Sequence, residues 1–129
     1  MSPHILIVED HQGVRQSLRE WLELSFPNYQ LLEAVSGEEA ITVAQTMSPG
    51  LVIMDIGLPG MSGIEAAQSI KAAVPETRVV MLTIYDDEAH KAAAAAAGVS
   101  AYVPKRKVQT ELLPVLTRLL AEDKAKTPS

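Results

Sequence analysis

Hydrophobic positions along this chain follow two alternating rhythms. Short apolar runs at 4–9 (HILIVE), 29–35 (YQLLEAV), 50–55 (GLVIMD), 77–83 (TRVVMLT) and 99–103 (VSAYV) predict five strands. Between them apolar residues recur at spacings of three and four, the period of an amphipathic helix. Over 12–25, Val14, Leu18, Trp21 and Leu22 share one face. Ser36 and Ser62 each stand three residues before a glutamate, the capping-box spacing, so helices start there. The alanine-rich stretch over 89–97, in a helix expected over 86–97, ends at Gly98, a left-handed stop. Val108, Leu112, Val115, Leu116 and Leu119 make the stripe of a fifth helix over 108–120, whose start Pro114 delays or bends.

Strand 50–54 is apolar on both faces, and 4–8 nearly so, as a parallel sheet covered by helices on both sides requires. Five βα units with right-handed crossovers predict a doubly wound α/β domain with five helices. The element count suits the five-stranded, flavodoxin-like strand order 2-1-3-4-5. A chain of 129 residues has room for one such domain, expected over 1–121, with 122–129 a polar tail or the start of a linker.

Composition narrows the function classes. A hydrophobic fraction of 47% and a charged fraction of 21% are those of a globular chain. The net charge of -5 argues against a nucleic-acid surface, which needs clustered Lys and Arg. Zero cysteines exclude a disulfide scaffold, a thiolate metal site and a cysteine nucleophile. No apolar run reaches membrane-spanning length, and MSPHILIVED has a strand where a signal peptide needs a basic region. A cytoplasmic chain is expected.

The polar residues that break the strand pattern carry the chemistry. In LVIMDIGLPGMSG (51–63) four apolar residues lead straight into Asp55, and a charge at the mouth of a core strand is costly unless something pairs with it. In a doubly wound sheet, sites lie beyond the carboxyl ends of the strands. There the first strand delivers Glu9 and Asp10, the third Asp55, the fourth Thr83, and Lys105 follows the fifth. One acidic residue at a strand end is ordinarily a helix cap or a solvated group; all of these on one rim are not so explained. Three carboxylates about 5 Å apart repel by roughly 3 kcal/mol per pair at an effective dielectric near 20. A cation is therefore implied, and hard oxygen ligands favour Mg²⁺, with the Gly57 carbonyl free of a side chain to turn inward. Lys105 and Thr83 are the groups that would hold phosphoryl oxygens, so the set reads as a phosphoryl-accepting aspartate.

With these residues in place the chain resembles the receiver domains of two-component response regulators, the CheY-like family, from about His4 to Leu120. The matching motifs are VED (8–10), MDIGLPGMSG (54–63), MLT (81–83) and AYVPK (101–105). The spacings agree too: 45 residues from Asp10 to Asp55, 28 on to Thr83 and 22 more to Lys105. The resemblance implies that Asp55 takes phosphate from a sensor histidine kinase. It implies that Glu9, Asp10, Asp55 and the Gly57 carbonyl hold Mg²⁺, and that Thr83 and Lys105 contact the phosphoryl group. Tyr102 matches the family's switch aromatic, which turns inward when Thr83 moves toward the phosphate. EDHQGVRQSL (9–18) and AAAAGVSAYVPK (94–105) look most like the LuxR/NarL-type subfamily, whose members usually carry a C-terminal helix-turn-helix. The implied output is control of transcription, with DNA bound only through a domain absent from this sequence and with homodimerisation on activation. The alternative is a stand-alone receiver that serves as an interaction or phosphorelay module.

Two positions depart from the family pattern beside the phosphate. Position 57, often polar in relatives, is Gly, and Ile84 is larger than the small residue frequent after the threonine. Arg106, rather than the Pro of many receivers, follows Lys105. A haloacid-dehalogenase-like phosphatase would need an acidic residue at position 57. A flavin binder would need a phosphate loop in place of EDHQG. His11 reads as a first-turn helix residue near the site, and His4 and His90 have no partners at ligand spacing. Lys107 competes with Lys105, but the family spacing selects Lys105.

Overall fold

The computed structural model describes residues 2–126, with side chains placed from 4 to 122. The apolar runs become β1 (Ser2–Val8), β2 (Gln30–Ala34), β3 (Pro49–Met54), β4 (Arg78–Thr83) and β5 (Ala101–Pro104). All adjacent pairs are parallel and the order is β2-β1-β3-β4-β5. Helices α1 (Gln12–Ser25), α2 (Gly37–Met47), α3 (Gly63–Ala73), α4 (Glu88–Ala96) and α5 (Leu113–Lys126) complete the doubly wound α/β architecture that the alternating periods predict.

Two cores flank the sheet. On one side α1, α5 and the turn that leads into α5 bury Leu18, Leu22, Leu112, Leu116 and Leu119 against Ile5, Ile7, Leu51 and Ile53. On the other, α2, α3 and α4 present mainly alanines, among them Ala40, Ala44, Ala66, Ala67 and Ala94, to Leu6, Val52 and Met54. The stripe expected on α1 is covered unevenly: Leu18 and Leu22 are buried, whereas Val14 near the helix start is 38% exposed.

Helix ends follow local chemistry. The Ser62 hydroxyl accepts from the Glu65 N–H at 3.2 Å, and the Glu65 carboxylate accepts from the Ser62 N–H at 3.1 Å, a complete capping box. At α2 only half of the box forms. Ser36 accepts from the Glu39 N–H, but the Glu39 carboxylate reaches one residue further back, to the N–H of Val35. Gly98 follows α4 with φ of 91°, a conformation costly for any residue with a side chain.

The fifth helix starts later than its apolar stripe does. A 3-10 turn over Lys105–Lys107 and a π-helical turn over Val108–Leu112 precede α5. Pro114 has no N–H to donate, and the wide turn just ahead of it is where the regular ladder is interrupted. The same helix runs past the end expected for it at 120. It continues to Lys126, and Glu122 accepts a hydrogen bond from Arg78 at the start of β4, at 2.7 Å. Residues 127–129 of the expected tail lie outside the described residues.

Strand register sets up the rim. Val8 pairs with Met54 and Met54 with Met81, while Thr83 pairs with Pro104. The residues that follow β1 and β3 therefore emerge side by side, and the Asp55 N–H donates to the Val8 carbonyl at 3.3 Å. Lys105 follows Pro104 at the same end of the sheet.

Candidate functional site

The rim brings four of the expected side chains together. One carboxylate oxygen each from Glu9, Asp10 and Asp55 lies within 4.8 Å of the others. Glu9 and Asp55 are only 4% and 7% exposed, while Asp10 faces solvent. Lys105 bridges the two buried acids, its Nζ 2.8 Å from Glu9 Oε1 and 3.1 Å from Asp55 Oδ2. This is the pairing that a charge at the mouth of a core strand demands.

The lysine's own ionisation records the balance. Burial pulls the Lys105 ammonium down, and hydrogen bonds and charge from Glu9 and Asp55 outweigh it, so its pKa ends above the ordinary lysine value. Lys105 is therefore a fixed cation at neutral pH.

Backbone geometry around the acids is equally specific. The Gly57 N–H donates to Asp55 Oδ1 at 3.2 Å, and the His11 N–H donates to Glu9 Oε2 at 3.1 Å. His11 is the N-cap of α1, its Nδ1 accepting from the Val14 N–H, which places the ring proton on Nε2. Arg15 donates to the Glu9 carbonyl at 3.0 Å and pairs with Glu33, clamping the end of β1 from α1.

Thr83 and Tyr102 stand apart from the acids. Thr83 is fully buried, and its hydroxyl accepts from the Tyr85 N–H at 3.3 Å rather than bonding Asp55. The Tyr102 hydroxyl donates to the Tyr85 carbonyl at 2.6 Å, with its ring partly buried against the alanine-rich core. Burial, and then the negative charges of Asp87, Asp86 and Asp55, raise its pKa, so the phenol keeps its proton and its donor role.

Two contributors were not legible as site residues. A Cβ on Gly63 would lie 2.0 Å from the Asp55 carbonyl oxygen, so only glycine lets α3 start this close to the Asp55 loop. Glycine in a first helical turn behind a capping serine is the one sequence hint of that approach. Tyr85 lies against Gly57, within 3.4 Å of the position a Cβ would take there. Ile84, the neighbour singled out from the sequence, instead points to solvent with 72% exposure.

The acidic cluster suits Mg²⁺ by its chemistry: all its side-chain donors are hard oxygens, and one is solvent-facing. Gly57 contributes its N–H to this arrangement, and its carbonyl remains the expected further ligand. Together the groups can accept a phosphoryl group on a carboxylate oxygen and neutralise the charge that arrives with it.

Comparison with known proteins gives the family. The family model described as "Response regulator receiver domain" matches residues 5–117. The transcriptional activator protein ExaE of Pseudomonas putida is 34% identical over 117 residues, covering 91% of this chain and 55% of that protein. The response regulator protein VraR of Staphylococcus epidermidis is 34% identical over 105 residues, covering 81% of this chain and 50% of that protein. A LuxR-family two-component response regulator from Aurantimonas superposes with a TM-score of 0.86 at 33% identity, over 92% of this chain and 85% of that one. The CheY-like receiver domain protein of Methanospirillum hungatei gives 0.89 at 26% identity, over 98% of this chain and all (100%) of its own. The chain spans about half the length of the curated relatives it matches. Among the described residues no helix is long and apolar enough to cross a membrane. The family is a signalling phosphoacceptor domain with an acidic Mg²⁺ pocket. By sequence, by fold and by the acids gathered on its rim, this chain belongs to the response regulator receiver domains.

Proposed function

We propose that Asp55 is the phosphoacceptor of a two-component signalling receiver, charged by a sensor histidine kinase. The observation that carries this reading is the Glu9–Asp10–Asp55 cluster, with the Lys105 ammonium 3.1 Å from Asp55. Mg²⁺, held by Glu9, Asp10, Asp55 and the Gly57 carbonyl, would supply charge neutralisation for the incoming phosphoryl oxygens. Asp55 Oδ attacks phosphorus, and the bond from phosphorus to the donor's leaving atom breaks. Lys105 is placed to stay with Asp55 and pair with a phosphoryl oxygen. Thr83, on the neighbouring strand end, is the hydroxyl donor for another.

Phosphorylation brings about two negative charges and new acceptor oxygens to the rim. Thr83 gains a bond to them by giving up the Tyr85 N–H, which loosens the loop whose carbonyl holds the Tyr102 hydroxyl. Tyr102 then turns inward, and the surface of α4, β5 and α5 changes. Two curated relatives named as transcriptional regulators, of which this chain covers about half, and a solved LuxR-family DNA-binding response regulator support an output through a DNA-binding domain joined to a receiver spanning 1–121. Homodimerisation through the changed surface is part of the same proposal.

Acetyl phosphate with Mg²⁺ is the direct test. One acid-labile phosphoryl group should appear on the intact protein by mass spectrometry and be absent from Asp55→Ala. Label that survives Asp55→Ala would overturn the assignment.

A further inference from the structure

Two of the three rim acids sit on a loop that one arginine brackets. Glu9 and Asp10 follow β1 directly, and only His11 separates them from the start of α1 at Gln12. Arg15, in the first turn of α1, donates from its guanidinium to the Glu9 carbonyl at 3.0 Å. Its backbone N–H donates to the His11 carbonyl at 2.9 Å. Asp10 therefore stands between two carbonyls that both accept from Arg15.

The arginine is itself seated on β2. Its Nε donates to Glu33 Oε1 at 2.8 Å, and the next residue, Ala34, accepts from the Glu9 N–H through its carbonyl at 3.1 Å. Both backbone polar groups of Glu9 are thus tied to β2, the N–H directly and the carbonyl by way of Arg15. A neighbouring cation offers a contrast. Arg19 pairs with the same Glu33 at 2.6 Å and with Glu23 at 3.8 Å, and among the described residues no bond joins it to the loop. The Arg15 side chain is 16% exposed and that of Arg19 35%.

The two acids depend on this bracket to different degrees. The Glu9 carboxylate is held by Lys105 at one oxygen and by the His11 N–H at the other. Asp10 faces solvent, so its direction is set by the backbone on either side. Mg²⁺ demands near-octahedral geometry, and groups that orient its ligands govern affinity without touching the ion.

We propose that Arg15, seated on Glu33, is a positioning residue for Mg²⁺: its guanidinium fork fixes the loop so that the Glu9 and Asp10 carboxylates converge with Asp55. This rests on the Mg²⁺ site proposed for the rim. Charge alone would act the other way, because a guanidinium beside the acids repels a divalent cation and its removal would tighten binding. The sign of the change therefore separates positioning from electrostatics.

Titration of the full chain with magnesium chloride, followed by amide NMR shifts at His11 and Gly57, measures Mg²⁺ affinity in folded molecules only, so a loss of global stability does not enter the value. Arg15→Met should weaken binding by roughly tenfold, the lower end of what losing a group that orients a metal ligand costs. Arg15→Lys keeps the charge but not the fork, and should also bind more weakly than the wild type. It carries the test should Arg15→Met fail to fold. Arg19→Met removes an equal charge from Glu33 and should stay within about twofold of the wild type, as for an ordinary surface pair. A wild type whose amides do not respond to Mg²⁺ overturns the metal site, and the role of Arg15 with it. A responsive wild type matched or exceeded in affinity by Arg15→Met overturns the role of Arg15 alone. Wild-type affinity in Arg15→Lys overturns the need for the fork, and an equal loss in Arg19→Met overturns the bracket in favour of the ion pairs as a group.

Discussion

The two faces of the sheet are built from different side chains, and the difference separates the part of the molecule that anchors from the part that can move. On the α1/α5 face, leucines from both helices interlock with Ile5, Ile7, Leu51 and Ile53. On the α2/α3/α4 face the helices approach on alanines, which bring the backbones close but interdigitate little. Within that second face α3 buries Gly63, Ala66, Ala67 and Ile70, whereas α4 buries Ala94 alone. Glu9 and Asp55 directly follow the neighbouring strands β1 and β3. Tyr85 and His90, at the α4 end, are held by a ring stack and a few surface hydrogen bonds. A rigid acceptor beside a weakly fastened helix is the arrangement a switch needs.

The largest expected effect breaks the anchoring face. Leu116→Ala should lose about 3 kcal/mol by creating a cavity in the leucine core. Ala94→Gly in α4 should lose only about 1 kcal/mol, chiefly from helix propensity. Urea denaturation of both variants measures the contrast, and equal losses would remove the distinction between the faces.

Next comes the clamp between the strand ends. Lys105→Met strands Glu9 and Asp55 together and should cost about 1–3 kcal/mol. Millimolar Mg²⁺ should restore part of that loss by taking over the neutralising charge, and should raise the wild-type melting midpoint more than that of Asp55→Asn. The pKa of Lys105 is raised on folding, so its contribution is complete below the ordinary lysine value of 10.5 and fades as pH climbs through the higher folded-state value. Denaturation across the alkaline range should therefore show the wild type losing stability there, and Lys105→Met lacking that part of the fall.

The smallest effect is a redistribution rather than a loss. With beryllofluoride as the phosphate mimic, amide hydrogen exchange should change over 84–104 while α1 keeps its protection. Changes confined to the Asp55 loop would disconnect the acceptor from α4.

Much of this was legible because two kinds of signal are local. Strand and helix periods reflect which face of an element is buried, and they gave the five βα units to within a few residues. The strand order needed one further rule, that five strands in a doubly wound sheet suit the flavodoxin-like order. Glu9, Asp10, Asp55 and Lys105 could be placed on one rim because each follows directly on a strand. The extension of α5 past 120 was hidden; one contact along it, Arg78 of β4 meeting Glu122, spans 44 residues of chain. So was the half-formed box at α2, where Glu39 bonds Val35 instead of Ser36.

By itself, then, the sequence determined the alternation of elements, the doubly wound class and the acids at the strand ends, because these depend on period, caps and adjacency along the chain. Only the tertiary structure decided that Lys105 bridges Glu9 and Asp55, that Gly63 must lack a side chain, and that Tyr85 rather than Ile84 fills the space beside Gly57. Those facts depend on distances between segments far apart in the chain, and periodicity carries no such information.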